Sequence, residues 1–208
     1  MIPIEIQLTF FLASVLLALA PGPDNIFVLT QSALYGRSSG IAVVFGLCSG
    51  LIVHSCAVAL GVAVIFQTSA IAFSILKLIG AGYLLYLAWQ AFRAPANEIL
   101  DGNGGRINLW KLYRRGIIMN ITNPKVSIFF LAFLPQFADP LRGPVSLQIL
   151  YLGGLFIIST ILIFGSIALL AGTLGKWLKQ STRTQIVLNK LAGTIFLGLA
   201  LKLATTDR

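Results

Sequence analysis

Two ionisable residues of opposite sign stand beside prolines inside long apolar stretches. One is Asp24, in Pro21-Gly22-Pro23-Asp24-Asn25; the other is Lys125, in Asn123-Pro124-Lys125. Proline lacks a backbone donor and clashes with the preceding helical turn. A helix must therefore stop before each proline and restart on it, with Pro23 and Pro124 at first helical positions and Asn123 as a cap. Each restart directs free N–H groups and a positive dipole end into the break, which suits a carboxylate. An acid at one break and a base at the other suit a zwitterion. On this reading Asp24 attracts an α-amino group, Lys125 and the helix ends attract a carboxylate, and Asn25, Asn120 and Asn123 orient the rest. Two other readings stay open: Asp24 and Lys125 pair with each other, or Lys125 snorkels to an interface.

His54 is the only histidine, four residues past Gly46-x-x-x-Gly50, a small-residue pattern that lets helices approach closely. It is, with Asp24, a candidate for carrying a coupling proton; the other reading is a hydrogen-bonded core histidine. Lys77 and Lys190 read as snorkelling or carbonyl-paired. With one His and no Cys/His cluster, the sequence offers no metal site. It has neither a His-Glu-x-x-His motif nor a phosphate-binding Gly-x-x-x-x-Gly-Lys loop. No cofactor is expected, and the plainest energy source for work across a membrane is a proton gradient.

The elements that must carry these residues are apolar. Of 208 residues, 57% are hydrophobic and 10% charged, against about 25% charged in soluble domains. So few charges cannot cover a soluble surface, whereas a lipid bilayer demands an apolar exterior. The net charge of +9 sits in the breaks between apolar runs, which fits membrane topology and not a nucleic-acid face. Cys48 and Cys56, eight residues apart on one run, lie about 12 Å apart on a helix. That is too far for a disulfide. The N-terminal run has no basic flank, Glu5 being its only early charge, and reads as a retained helix rather than a leader.

Six apolar runs reach the ~20 residues that a crossing needs: Ile4–Tyr35, Ile41–Phe66, Ala70–Phe92, Leu112–Phe137, Val145–Leu174 and Thr184–Ala204. The first and fourth are the broken ones. Nine basic residues fall in the first, third and fifth connections, and three on the other side. The positive-inside rule then places both termini outside the cytoplasm. Lys77-Leu-Ile-Gly-Ala-Gly-Tyr-Leu in the third run matches Lys190-Leu-Ala-Gly-Thr-Ile-Phe-Leu in the sixth. With three helices per half, the halves must face opposite ways, as in secondary transporters built from inverted repeats with paired broken helices. The expected fold is a single all-α transmembrane domain over 1–208. Repeat one covers about 1–95, a polar cytoplasmic loop about 93–115, and repeat two about 112–208. A homo-oligomer stays open.

The ordered set Pro21-Gly22-Pro23-Asp24-Asn25, Gly46…Gly50…His54, Gly80-Ala-Gly-Tyr-Leu-Leu-Tyr-Leu87, Asn120-Ile-Thr-Asn-Pro-Lys125 and Phe133-Leu-Pro-Gln-Phe137 resembles the LysE/RhtB family of bacterial amino-acid exporters. The resemblance runs over nearly the whole chain. It implies a protein of the cytoplasmic membrane that exports amino acids by exchange with protons. Family members are associated with threonine, homoserine, leucine, lysine and arginine efflux. The resemblance also implies that the two breaks form the substrate region. Two rival classes are a membrane-embedded enzyme, for which His54, Asp24 and Ser49 or Ser55 are the available groups, and a passive channel or non-transporting subunit.

Overall fold

The computed structural model describes residues 2–20, 22–68, 70–93, 108–180 and 182–205, and the regular structure among them is helical throughout. The first apolar run folds as α1 (Ile4–Leu19) and α2 (Pro23–Tyr35), bent by 61° at the break. Pro21 lies outside the described residues. Pro23 occupies the start of α2 as its fixed φ dictates. Gly36 ends α2 at φ +87°, a left-handed conformation that favours glycine. α3 (Arg37–Thr68) and α4 (Ala70–Arg93) follow.

The second half repeats the pattern. α5 (Leu109–Ile121) and α6 (Pro124–Ile128) flank the Asn123-Pro124 break. α6 continues into a π-helical turn, Phe129–Phe133, and a 3₁₀ turn, Leu134–Phe137, and this pair is bent by 50°. A short 3₁₀ turn at Pro140–Arg142 leads to α7 (Val145–Gln180) and α8 (Thr182–Thr205). In that turn, outside the spans, the Leu141 N–H and the Arg142 side chain hold the Asp139 carboxyl below the usual range. The polar Asp101–Gly105 stretch falls outside the described residues, as do the side chains of Lys77, Lys176, Lys179 and Arg183.

Among the described residues, Arg37–Gly61 (mean hydropathy 2.2) and Val145–Ala171 (2.4) are long and apolar enough to cross a membrane. Each bent pair passes the same test when taken together, which makes up to four such spans. α4 and α8 are helices of 24 residues each. Leu12, Phe45, Leu60 and Leu162 are each more than half exposed, an outer surface that suits lipid and not water.

α3 packs on α5 and α7, α4 on α8, and α2 on α3 and α7. The α3–α5 contact brings backbones together. A Cβ added at Gly46 would lie 2.1 Å from the Tyr113 carbonyl oxygen, and one at Gly116 would lie 2.6 Å from that of Val43. Two apolar clusters fill the interior. One centres on Phe10, Phe129, Phe130, Phe133 and Phe156; the other, on Val28, Val43, Leu47 and Phe164, lies where α2, α3 and α7 meet. Cys48 is buried and Cys56 exposed, both as free thiols.

Candidate functional site

The seam between the two clusters holds a small cavity at the level of both breaks. Leu17, Leu51, Val126, Phe156 and Phe164 supply its apolar walls, and Asp24, Asn120, Lys125 and Thr160 its polar ones. Its volume, about 10 Å³ measured to the centres of water-sized contents, is room for about one water molecule. An amino acid does not fit unless the walls separate.

The polar side chains reach across from one break to the other. Asp24, in the first turn of α2, is 2% exposed, and its Oδ2 accepts a hydrogen bond of 2.8 Å from Asn123 Nδ2. Lys125, in the first turn of α6, is 7% exposed, and its ammonium donates to the Ala20 carbonyl at 3.0 Å. Lys125 Nζ also lies 5.8 Å from the centre of the Phe196 ring, a cation–π distance. The cation of the second break therefore serves the carbonyl end of α1, and the amide of the second break holds the acid of the first. A buried carboxylate alone in an apolar interior is prohibitively costly. Here a charge-assisted hydrogen bond and a nearby ammonium offset that cost.

The direct Asp24–Lys125 ion pair left open by the sequence is not formed. Among the described residues the one ion pair is Arg142–Asp139, at the surface. Lys125 is also turned inward and does not snorkel.

The two helix starts differ. Asn123 caps α6, its Oδ1 accepting from the Lys125 N–H at 3.0 Å while its carbonyl takes the N–H groups of Val126 and Ser127. These N–H groups are therefore occupied, contrary to the expectation that both restarts offer free donors. α2 has Gly22 at its cap position and no side-chain cap. A Cβ added at Gly22 would sit 3.3 Å from Lys125 Nζ, so the ammonium lies beside the uncapped start of α2.

Asn120 is 2% exposed and lies in the last turn of α5, and Asn25 turns back so that its Nδ2 donates to the Ala18 carbonyl at 2.7 Å. Pro23 and Pro124 are exposed and shape the chain without facing the cavity. Among the described residues, four buried side-chain oxygens lack a hydrogen-bond partner: Asp24 Oδ1, Asn25 Oδ1, Asn120 Oδ1 and Thr160 Oγ1. Such orphans are costly. Asp24, Asn120 and Thr160 all line the cavity. Two of their orphan oxygens are pure acceptors, the arrangement that an ammonium group with three donors satisfies.

His54 lies outside the cavity lining. Its Nε2 is 3.3 Å from the Asn120 carbonyl oxygen and its ring lies tilted against Phe130, so it braces the end of α5. Ser55 Oγ donates to the Leu51 carbonyl, and Ser49 bonds the Tyr113 hydroxyl. The serine–histidine–aspartate grouping that an enzyme would need is therefore not assembled. Thr160 and the Ala20 carbonyl were not foreseen. A lone threonine in an apolar run carries no spacing signal, and a backbone carbonyl carries no sequence signal at all.

The LysE type translocator profile matches residues 15–207. A membrane protein of Vibrio cholerae is 34% identical over 203 residues, covering 97% of this chain and 98% of the relative. A homoserine/homoserine lactone efflux protein of Salmonella typhimurium is 34% identical over 196 residues, 94% of each chain. The protein of that name from Salmonella typhi is 35% identical over the same length. No solved structure matches. A profile match over nearly the whole chain and full-length relatives make this a membrane transporter and not an enzyme: the chain belongs to the LysE type translocator family.

Proposed function

We propose that the protein exports amino acids or close derivatives across the bacterial cytoplasmic membrane in exchange for protons. The observation that carries this reading is the unpartnered, buried Oδ1 of Asp24, facing a cavity between two broken helices with the Lys125 ammonium beside it. Asp24 Oδ1 holds either a proton or the substrate ammonium, and one oxygen cannot hold both. That exclusion is the elementary requirement of antiport. Asn120 Oδ1 takes a second N–H of the ammonium. The substrate carboxylate, where there is one, lies against Lys125 Nζ and the uncapped start of α2. Asn123 holds Asp24 in place, and Asn25 braces the end of α1. His54 is the less favoured proton carrier because it stands behind Asn120 and not on the cavity. The efflux relatives are named for homoserine and its lactone. These two compounds share an ammonium, whereas a free carboxylate belongs only to the open form. An ammonium-centred site accommodates both.

The reading includes six crossings as two inverted three-helix repeats in one domain, the chain's termini lying outside the cytoplasm. Supporting it, α3 packs on its counterpart α7 and α4 on its counterpart α8. Gly80 and Gly193, equivalent in the repeat, each sit against the other half. A Cβ at Gly80 would meet Ala132 at 2.3 Å, and one at Gly193 would meet Phe92 at 2.8 Å. Trp89 under Arg93 and Trp110 stacked on Tyr113 flank the polar connection, as aromatic residues do at a membrane interface.

The test is efflux from proteoliposomes loaded with labelled amino acids, with and without an imposed pH gradient. Gradient-dependent loss of a few amino acids is expected. Loss at the same rate without a gradient would indicate a passive channel. No loss of any amino acid from folded protein would overturn the reading.

A further inference from the structure

Among the described residues, six serine and threonine hydroxyls on the helices are buried. Five of them bond a carbonyl of the preceding turn: Ser14 to Phe10, Ser32 to Val28, Ser39 to Tyr35, Ser55 to Leu51 and Ser159 to Phe156. This is what an isolated hydroxyl in an apolar helix does to stay satisfied. Thr160 does not. It is 2% exposed, its Oγ1 has no partner, and it lines the cavity shared with Asp24 and Asn120. It belongs to neither break; α7 brings it to the site from outside them. The flanking walls, Phe156 and Phe164 on the same helix and Leu51 on α3, are apolar.

We propose that Thr160 is a specificity-determining residue whose hydroxyl reads a polar atom on the substrate's side chain. The substrate is then an amino acid with a short side chain ending in a hydroxyl or carbonyl oxygen. This rests on the amino-acid carrier reading above. The division of labour follows from the groups present. Asp24 and Asn120 offer acceptors to the ammonium that every amino acid carries and cannot distinguish one side chain from another. The Thr160 hydroxyl can both donate and accept, so it can bond a side-chain hydroxyl in either direction and can donate to a carbonyl. A methyl group in that place leaves the threonine hydroxyl buried and unpaired, which is the effective way for a site to reject an isostere.

The experiment compares efflux of two isosteric pairs, homoserine against norvaline and threonine against valine, from proteoliposomes carrying wild-type, Thr160→Val or Thr160→Ser protein. Within each pair one hydroxyl replaces one methyl. Wild type is expected to favour the hydroxylated member. Thr160→Val keeps the shape and removes the hydroxyl, and the preference should fall about tenfold, the worth of one hydrogen bond. Thr160→Ser should restore most of it. Thr160→Ala serves the same purpose if the valine variant is not recovered folded. An unchanged preference in a hydroxyl-free variant that still transports overturns the assignment of Thr160 while leaving the carrier reading intact. No efflux of any amino acid by wild type overturns the carrier reading and this inference with it.

Discussion

The two breaks are built from the same parts and used in opposite ways. Each has a proline at the first helical position, an ionisable residue directly after it, and a sharp bend. At the second break Asn123 stands at the cap position, and its side chain bonds both the local Lys125 N–H and the distant Asp24. At the first break the cap position holds Gly22, which bonds nothing through a side chain and leaves space for Lys125. The second break is therefore the structural one: capped, and reaching out to hold the first. The first is the open one, with an uncapped helix start and an acid that keeps one oxygen free. In the proposed function the two breaks therefore act as a support and a receptor.

The largest expected effect comes from the ionisable pair. Asp24→Asn should lower gradient-driven efflux roughly 100-fold, about 3 kcal/mol for a charge-assisted contact to the substrate, and the residual efflux should no longer respond to the pH gradient. Lys125→Met leaves Asp24 as a buried charge without a counter-ion, which destabilises strongly, so its apparent melting temperature should drop well below that of Asp24→Asn. Combining the two should recover stability without recovering transport, because the two charges compensate each other. A double variant no more stable than Lys125→Met would show that the breaks do not sense each other.

An intermediate effect is expected at the support. Asn123→Ala removes a helix cap worth about 1 kcal/mol and the donor that fixes Asp24. Efflux should fall about tenfold, with the pH-gradient dependence retained since the carboxyl remains. A loss as complete as that of Asp24→Asn would mean that Asn123 itself contacts substrate, and the distinction between support and receptor would fail.

The positions of both breaks were legible because Pro-Gly-Pro and Asn-Pro override any apolar pattern by covalent geometry. Their matching offsets set Asp24 and Lys125 side by side, and the structure brings both to one cavity. What the sequence left open was which groups each would touch. The expectation of two equivalent donor ends missed that Asn123 spends its side chain on its own helix, while Gly22 cannot. The cross-connection of Asn123 to Asp24 and of Lys125 to Ala20 depends on how two bent helices lie against each other, which no local pattern encodes. The π-helical turn at Phe129–Phe133 was not foreseen; it stands just ahead of Pro135, where four phenylalanines, Phe10, Phe130, Phe133 and Phe156, pack around Phe129. His54 shares the face of Gly46 and Gly50, as its spacing implied. That face meets the carbonyl of Asn120 and not the cavity, which agrees with the reading of His54 as a hydrogen-bonded histidine.

The smallest expected effect tests the asymmetry most directly. Gly22→Ser gives the first break the kind of cap that the second already has. Gly22 is extended at φ −166°, a conformation open to any residue, so no backbone strain arises. In an ordinary helix serine improves on glycine at this position by only a few tenths of a kcal/mol. The new Cβ, however, would stand 3.3 Å from Lys125 Nζ, and the ammonium must give way slightly. Apparent stability should therefore stay within a few degrees of wild type, roughly the shift expected for such small changes. Efflux of a substrate with a free carboxylate should fall about twofold, a few tenths of a kcal/mol, and efflux of a lactone, which has no carboxylate to place at the start of α2, should be unaffected. Equal loss for both compounds would mean that the uncapped start of α2 is not where a carboxylate rests, and that the glycine is there only to let Lys125 reach the Ala20 carbonyl.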